Sequence, residues 1–286
     1  MAGIGFQLRR ILRAESISGA LRAYGYAAAV SSGPWLLSIG ILAALGLFLA
    51  GSAAESVRSL FFVSVTHVIA FSLILTGPLQ LILPRYASDR LFLNKSEDVY
   101  ASFTTAILLV SAVSLVPGIL LFGVFGYGSL VERASTISLF VVVSNIWIGN
   151  CYATALKDFR NLVVAYASGY AASFFCAMWF SARFGEQWIM SGMVIGQLLL
   201  LFLLMRAVGY EIGGSKLIDF SFLRYFRRFP SLAAFGLFYN LGLWIDKFLY
   251  WWFSPGNDHL GGRFKPGSSA ELPLELQRKL VEREAG

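Results

Sequence analysis

Seven long apolar stretches constrain this sequence more than any other feature. An α-helix needs about 20 mostly apolar residues to cross the ~30 Å hydrocarbon core of a bilayer, and each stretch is long enough. The stretches are Tyr26–Ala50, Ser59–Leu83, Ser102–Phe125, Ala134–Leu156, Leu162–Ala182, Trp188–Val208 and Ser231–Phe253. Their apolar residues are continuous and do not alternate, which favours helices over barrel strands. The sequence therefore predicts an all-α protein, a polytopic transmembrane helical bundle of about seven spans.

The composition supports a lipid environment. Hydrophobic residues make up 57% of the chain and charged residues only 14%, whereas a soluble domain carries roughly 25% charged residues. The net charge of +7 could indicate nucleic-acid binding, but the charges are sorted by loop, so no nucleic-acid partner is predicted. Cys151 and Cys176 lie inside apolar stretches without a CxxC motif or a His cluster, so neither a disulfide framework nor a metal site is predicted.

Lysine and arginine residues gather at one set of helix ends. The N-terminus and every second loop hold 14 of them, and the other loops hold 3. The positive-inside rule places the larger set in the cytoplasm, so the N-terminus is expected inside. The larger set is Arg9, Arg10, Arg13, Arg22, Arg85, Arg90, Lys95, Lys157, Arg160, Arg206, Lys216, Arg224, Arg227 and Arg228; the smaller set is Arg58, Arg133 and Arg183.

The two ends of the chain differ from the apolar region at 26–253. Residues 1–25 mix apolar and basic side chains, which predicts a cytoplasmic amphipathic helix that fixes topology or docks a cytoplasmic partner. The apolar run that follows exceeds the about 7–15 residues of a signal peptide, so an uncleaved first span is expected. Residues 254–286 are rich in Gly, Pro, Ser and charge, which predicts a polar, mostly disordered tail.

No catalytic motif occurs in the sequence. The patterns GxSxG, GxxxxGK[ST] and HExxH are all absent, and His67 and His259 are the only histidines. Neither an enzyme nor a cofactor is predicted.

Polar side chains inside the apolar stretches are the candidates for a transport path. A charge at mid-bilayer costs about 2.5–3.5 kcal/mol on the lenient insertion scale, so Asp246 and Lys247 should line a polar path or satisfy neighbouring helices. Adjacent helix positions point about 100° apart, so the two need not pair. His67 could relay protons or contact substrate, or simply bond a neighbouring helix. Four amides could contact sugar hydroxyls, although each alone is as well explained as interhelical bonding: Asn145, Asn150, Gln197 and Asn240.

Two Gly-Pro pairs interrupt adjacent predicted helices. They are Gly33-Pro34 and Gly77-Pro78. Because proline removes a backbone donor and clashes with the preceding turn, a kink is expected at each pair. In transporters such kinks act as hinges or expose polar backbone to a cavity, whereas in many spans they only adjust packing.

Four short segments resemble a known family. They are MAGIGF at 1–6, LRAYGY at 21–26, SSGPW at 31–35 and YNLGLWIDK at 239–247. Together they resemble the Pel exopolysaccharide transporter family, PelG, within the multidrug/oligosaccharidyl-lipid/polysaccharide flippase superfamily. The resemblance covers about residues 1–255.

The resemblance implies a carrier in the bacterial inner membrane for a cationic, amino-sugar-rich polysaccharide of biofilms. It also implies a cytoplasmic glycosyltransferase and membrane subunits regulated by cyclic di-GMP as partners, besides membrane lipid. Family members are similar to two six-helix lobes around a central cavity. This sequence matches one lobe plus one helix before its polar tail, so it is expected to be a truncated copy that corresponds to the N-terminal half.

The predicted function is export of such a polysaccharide through a polar path between helices, in which the Asp246 carboxylate would suit a cationic polymer. A lipid-linked oligosaccharide flippase or an ion-coupled exporter is one alternative. A membrane scaffold that anchors a glycosyltransferase through basic loops, without transport, is another, and a non-functional fragment is the last.

Overall fold

The computed structural model describes residues 36–51, 55–126, 128–156, 159–214 and 216–253. Within these ranges the chain forms eight α-helices and no strand. The helices are α1 Leu36–Gly51, α2 Glu55–Phe92, α3 Ser96–Gly118, α4 Leu130–Leu156, α5 Phe159–Phe184, α6 Ile189–Ile212, α7 Leu223–Arg228 and α8 Pro230–Phe253. A π-helical segment, Ile119–Val124, prolongs α3, and a 3-10 turn, Glu186–Trp188, precedes α6.

The described residues contain six helical segments that are long and apolar enough to cross a membrane. These segments are Ser56–Phe92, Ser96–Val124, Leu130–Leu156, Asn161–Phe184, Glu186–Ile212 and Pro230–Leu249. They confirm the all-α polytopic bundle and correspond to the second to seventh predicted spans. The first predicted span is described only from residue 36 onward, where α1 is a shorter apolar helix.

Helix α2 continues well beyond the predicted end of its span at Leu83, as far as Phe92. A helix is maintained by backbone hydrogen bonds, which do not require apolar side chains, so α2 can leave the membrane without ending. Its last turns become polar, and Arg85 pairs with Asp89 one turn later at 3.5 Å. This extension gives α2 a polar end to which other segments attach.

Helix α4 lies inside the bundle and packs against α2, α3 and α6. Its side chains Leu139, Phe140, Ile148 and Tyr152 are almost completely buried. Because lipid tails are as apolar as these side chains, association of the helices depends on close packing and interhelical hydrogen bonds more than on the hydrophobic effect. One such bond runs from Trp147 Nε1 on α4 to Ser72 Oγ on α2, at 3.0 Å.

Helices α5 and α6 form a hairpin that packs through small residues. A Cβ atom added at Gly196 would lie 2.1 Å from Ser173 N, and one added at Gly192 would lie 2.5 Å from Ala177 Cα. Gln197 Nε2 donates to Ser173 Oγ at 3.0 Å inside the same contact. Gly192 and Gly196 form a GxxxG pattern, which permits backbone-to-backbone contact between spans. No prediction from the sequence concerned this pattern.

The charged ends of several elements meet at one end of the bundle. Lys216 Nζ lies 2.9 Å from Asp98 Oδ1 at the start of α3, and Tyr225 OH on α7 donates to Asp89 Oδ2 on α2 at 3.1 Å. We call this the basic end, because it carries Arg85, Arg90, Lys216, Arg224, Arg227 and Arg228. The start of α4 and the turn between α5 and α6 lie at the opposite end, where Glu132 and Glu186 border one pocket beside Val57.

Candidate transport path

Helix α8 packs antiparallel on α2 through one stripe of its surface. The ring of Phe248 stacks on Phe71 with 5.2 Å between centroids, and Asn240 Nδ2 donates to Gln80 Oε1 at 3.3 Å. One turn before Asn240 on α8, a Cβ atom added at Gly236 would lie 2.2 Å from Gly77 O. We call this contact the α2–α8 seam. It holds α8 at a defined rotation, so the opposite surface of α8 points away from the other helices.

The seam assigns a packing role to Gly77, one of the predicted hinge residues. Helix α2 runs through Gly77 and Pro78 without ending, and a Cβ atom at Gly77 would lie 2.7 Å from Gly236 O. Any side chain here would push α8 away from α2. The hinge role of Gly77 and Pro78 stays a prediction, and Gly33 and Pro34 lie outside the described residues.

The surface of α8 that faces away from the seam carries Phe235, Tyr239, Gly242 and Asp246. Their spacing of four, three and four residues places them on one side of the helix. Phe235 and Tyr239 are 64% and 58% exposed, and their rings stack with 6.0 Å between centroids. A Cβ atom added at Gly242 would meet no atom of the described residues within 4 Å. We call these four residues the α8 stripe; it is an aromatic surface that ends in a carboxylate.

Asp246 and Lys247 form an exposed ion pair. Lys247 Nζ donates to Asp246 Oδ1 at 3.2 Å and to Leu243 O at 3.0 Å. The side chain of Asp246 is 70% exposed and that of Lys247 is 46% exposed. From the sequence, adjacent helix positions need not pair. The flexible side chain of Lys247 nevertheless reaches the Asp246 carboxylate.

The ion pair belongs to a helix that is long and apolar enough to cross a membrane. Phe248, two residues beyond Asp246, stacks on Phe71, which lies near the middle of the predicted span Ser59–Leu83. On α8 itself, Asp246 lies three residues before the end of the apolar segment Pro230–Leu249. A charge at mid-bilayer costs about 2.5–3.5 kcal/mol even on the lenient insertion scale. The surroundings of Asp246 must supply polar contacts.

Comparison with known families identifies the family to which the chain belongs. The model of one family, described as "PelG: Putative exopolysaccharide Exporter (EPS-E)", matches residues 1–268. The chain belongs to the PelG family. The resemblance predicted from four short segments is thereby confirmed, and the match includes every helix described above. No curated protein and no solved structure matches the chain.

Membership of the PelG family places the chain among exopolysaccharide exporters, a family of transport proteins and not of enzymes. A multi-pass membrane protein that interacts with a polysaccharide is the corresponding general assignment. It agrees with the six apolar helical segments in the described part of the chain.

The other predicted path residues of this PelG chain lie inside the bundle, apart from the α8 stripe. Asn145 Nδ2 donates to Ser111 Oγ at 2.9 Å, and Asn150 Nδ2 donates to Tyr166 OH. His67 Nδ1 lies 2.7 Å from Val63 O on its own helix. The carbonyl oxygens of Asn145 and Asn150 are buried without a hydrogen-bond partner among the described residues. The two asparagines join helices to one another, whereas this contact of His67 lies within α2, and a part in a polar path remains a prediction for each.

Gln197 borders a separate internal cavity of about 60 Å³ between α1, α2, α4, α5 and α6. Tyr166 and Tyr170 contribute to its wall, which is otherwise mainly apolar. No residue of α8 lines this cavity. Asn240 is also separate from it, since it is 4% exposed and bonded within the α2–α8 seam. The structure therefore brings together Asp246 and Lys247, and it distributes the five other candidates over several contacts.

The segment 216–222 fastens α7 and α8 to the basic end. No prediction from the sequence assigned a role to this segment. The carboxylate of Asp219, 8% exposed, accepts from Tyr86 OH at 2.7 Å and from Ser221 Oγ at 2.6 Å. Its backbone N–H donates to Thr105 Oγ1 at 2.8 Å. We call 216–222 the strap. Asp219 lies outside every apolar stretch, so its sequence context gives no sign of burial, and only the fold brings Tyr86 and Thr105 to it.

The strap should make stability depend on pH in one direction. Burial acts to raise the pKa of Asp219, but hydrogen bonds from Ser221 and Tyr86 and the nearby Lys216 ammonium outweigh it, so the pKa is lowered. Stabilisation by a carboxyl group with a lowered pKa is complete above about pH 4 and is lost as the pH falls through the folded-state pKa.

We expect Asp219→Asn to lower the free energy of unfolding by about 2 kcal/mol at neutral pH, because two donors lose a charged acceptor. Denaturant unfolding in detergent should show that the difference from wild type shrinks between neutral pH and about pH 3, because the carboxyl of the unfolded chain is protonated at about pH 3 and folding must then release that proton. Asp89→Asn, a change in a half-exposed ion pair with Arg85, should cost less than about 1 kcal/mol. Equal destabilisation by Asp219→Asn at both pH values would contradict the electrostatic role.

Proposed function

We propose that this PelG chain carries an exopolysaccharide across the bacterial inner membrane along a path that has the α8 stripe as one wall. The observation that supports it most is the exposed Asp246–Lys247 pair on α8. Ionisable residues inside membrane spans usually face the bundle interior or a water-filled cavity, and they mark substrate pathways. Water and a polar polymer beside α8 would supply the contacts that lipid cannot.

The chemistry of the stripe suits a cationic amino-sugar polymer. The faces of Phe235 and Tyr239 are exposed, and an aromatic face attracts an ammonium group within about 6 Å of its centre. Asp246 lies about 10 Å further along the helix, at about 1.5 Å per residue. A carboxylate there can accept charge-assisted hydrogen bonds from a sugar ammonium in exchange for Lys247. Gly242 leaves room between the two features for a sugar ring.

We further propose that the basic end faces the cytoplasm. It gathers Arg85, Lys216 and Arg228, and cytoplasmic loops of membrane proteins are enriched in such residues. The polymer would then enter near Pro230, where α8 begins, and pass Phe235 before Asp246. A cytoplasmic glycosyltransferase that delivers the polymer would dock at this end, and membrane subunits regulated by cyclic di-GMP would join the same assembly.

The test is polymer secretion by a host strain whose own gene for this protein is replaced by a variant. Asp246→Asn keeps the size of the side chain but removes its charge, and we expect secreted polymer to fall by roughly tenfold, the equivalent of about 1.4 kcal/mol. Asp89→Asn makes the same chemical change at the basic end and should leave secretion near the wild-type level. Immunoblots of the membrane fraction must show equal amounts of each variant.

A second pair of variants tests the aromatic part of the stripe. Tyr239→Leu should reduce secretion, whereas Phe202→Leu, a change at a 60% exposed aromatic residue of α6, should not. Full secretion by both Asp246→Asn and Tyr239→Leu would refute the path along α8. If that result came with loss of glycosyltransferase binding on substitution of Lys216 and Arg224, a scaffold role would replace transport.

A further inference from the structure

A groove of about 220 Å³ opens on the surface between α5 and α6, near the basic end. Two helix faces form it, with residue spacings of three and four on each. Its lining residues are Asn161, Val164, Ala165, Leu203, Arg206, Ala207 and Tyr210. None of them belongs to the α2–α8 seam, the α8 stripe or the strap, so the groove has no part in the path proposed above.

The groove arises where the small-residue contact of the hairpin ends. Gly196 and Ser173 bring α5 and α6 into backbone contact, and this contact continues to Gly169, where an added Cβ atom would lie 2.4 Å from Leu200 Cβ. The groove lies on the surface beyond this contact, closer to the basic end. Val164 is 54% exposed and Tyr210 is 89% exposed, so the groove opens towards lipid.

The polar and apolar groups of the groove are ordered by depth. Asn161, Arg206 and Tyr210 lie nearer the basic end, because α5 begins and α6 ends there, whereas Val164 and Leu203 lie deeper in the membrane. Arg206 forms no ion pair with any described residue. Arg206 is the charged residue among those that line the groove. The groove thus combines a guanidinium at its rim with an apolar floor.

We infer that this groove binds an anionic phospholipid of the leaflet at the basic end. The guanidinium of Arg206 would hold the phosphate, since its fork of donors matches phosphate geometry. Asn161 and Tyr210 would donate to headgroup oxygens, and one acyl chain would lie along Val164 and Leu203. The positive charge on the rim favours an anionic lipid over a zwitterionic one.

The experiment uses the full chain, purified in a neutral detergent and examined by native mass spectrometry with added lipid. Phosphatidylglycerol should be retained at least about tenfold more than phosphatidylcholine of the same acyl chains. Arg206→Ala should remove that preference, and Ala207→Phe should reduce binding of both lipids by filling the groove. Arg224→Ala removes an equally exposed charge at the same end, outside the groove, and should bind phosphatidylglycerol like the wild type.

Three results would overturn the inference. Equal retention of the two lipids by the wild type would show no headgroup selection. Equal losses in Arg206→Ala and Arg224→Ala would mean diffuse attraction by the basic end. Displacement of phosphatidylglycerol by millimolar inorganic phosphate would indicate a site for a soluble anion. Arg206→Lys, which keeps the charge, serves as a second variant if Arg206→Ala proves poorly folded by circular dichroism.

Discussion

Replacing Gly196 by alanine is expected to lower the free energy of unfolding by about 3 kcal/mol, the upper part of the range for overpacked sites. The new Cβ atom would lie 2.1 Å from Ser173 N and 2.4 Å from Ser173 Cα. These are backbone atoms, so no change of rotamer can make room, and α5 and α6 must separate along their whole contact. The hydrogen bond between Gln197 and Ser173 would lengthen at the same time.

The matched control for Gly196→Ala lies on the same helix. Among the described residues, a Cβ atom at Gly209 would meet only Tyr100 Cε2, at an ordinary 3.7 Å. Gly209→Ala should therefore be neutral or stabilising, by up to about 1 kcal/mol from helix propensity. Unfolding in mixed detergent micelles, followed by circular dichroism, compares the two variants with wild type. Similar stabilities for Gly196→Ala and Gly209→Ala would mean that the hairpin does not depend on the close backbone contact.

Gly236→Ala is expected to detach α8 from α2 and to abolish most polymer secretion while the rest of the bundle stays folded. Its Cβ atom would lie 2.2 Å from Gly77 O and 3.1 Å from Gly77 C. Relief requires α8 to move outward or rotate, since both atoms belong to the backbone of α2. Either movement breaks the hydrogen bond from Asn240 to Gln80 and turns the α8 stripe out of register.

Two measurements follow the α2–α8 seam directly. Cysteines introduced by Phe71→Cys and Phe248→Cys should be joined by a flexible thiol-reactive crosslinker in the wild-type background, because the two rings stack with 5.2 Å between centroids, and the yield should fall when Gly236→Ala is added. Gly242→Ala is the control on the same helix, since a Cβ atom there meets no described atom within 4 Å. Normal crosslinking and normal secretion by Gly236→Ala would show that the seam tolerates an outward shift of α8.

The two glycine predictions concern different consequences of the same chemistry. In water, helices associate largely through burial of apolar surface, but lipid removes most of that driving force. Close backbone contact at Gly196 and at the Gly77–Gly236 crossing therefore carries a large share of the association energy. For the hairpin the consequence is stability, and for α8 it is the position of Asp246 in the proposed path.

Some features could be read from the sequence because their cause is local. Six of the seven spans were predictable, since twenty or so continuous apolar residues must form a helix that satisfies its own backbone in lipid. Membership of the PelG family was also predictable, because a short motif such as YNLGLWIDK can be recognised from the order of its residues alone. The candidate carboxylate Asp246 stood out for the same reason, as a charge inside an apolar run.

Other features depended on which residues the fold brings together. In the sequence, the neighbouring Pro78 suggests that Gly77 is part of a hinge. The structure shows that Gly77 lacks room for a side chain because it contacts Gly236, on a helix far along the chain. Asp219 gave no signal either, because its value to the fold comes from Tyr86 on α2 and Thr105 on α3. The GxxxG pattern at Gly192 and Gly196 is present in the sequence. Only its contact with Ser173 and Ala177 in the structure shows that it packs against α5.

The amino-acid sequence alone thus determined that this chain is a bundle of membrane helices from an exporter family and that two charged residues lie inside its seventh predicted span. Only the tertiary structure decided that these two residues pair and that Asp246 faces outward on the same side of α8 as two stacked aromatic rings, while the amides Asn145, Asn150, Gln197 and Asn240 are occupied between helices. The reason is rotational: apolarity places a helix in the bilayer, but the close contacts of a few small residues with one neighbour set which side of it remains open.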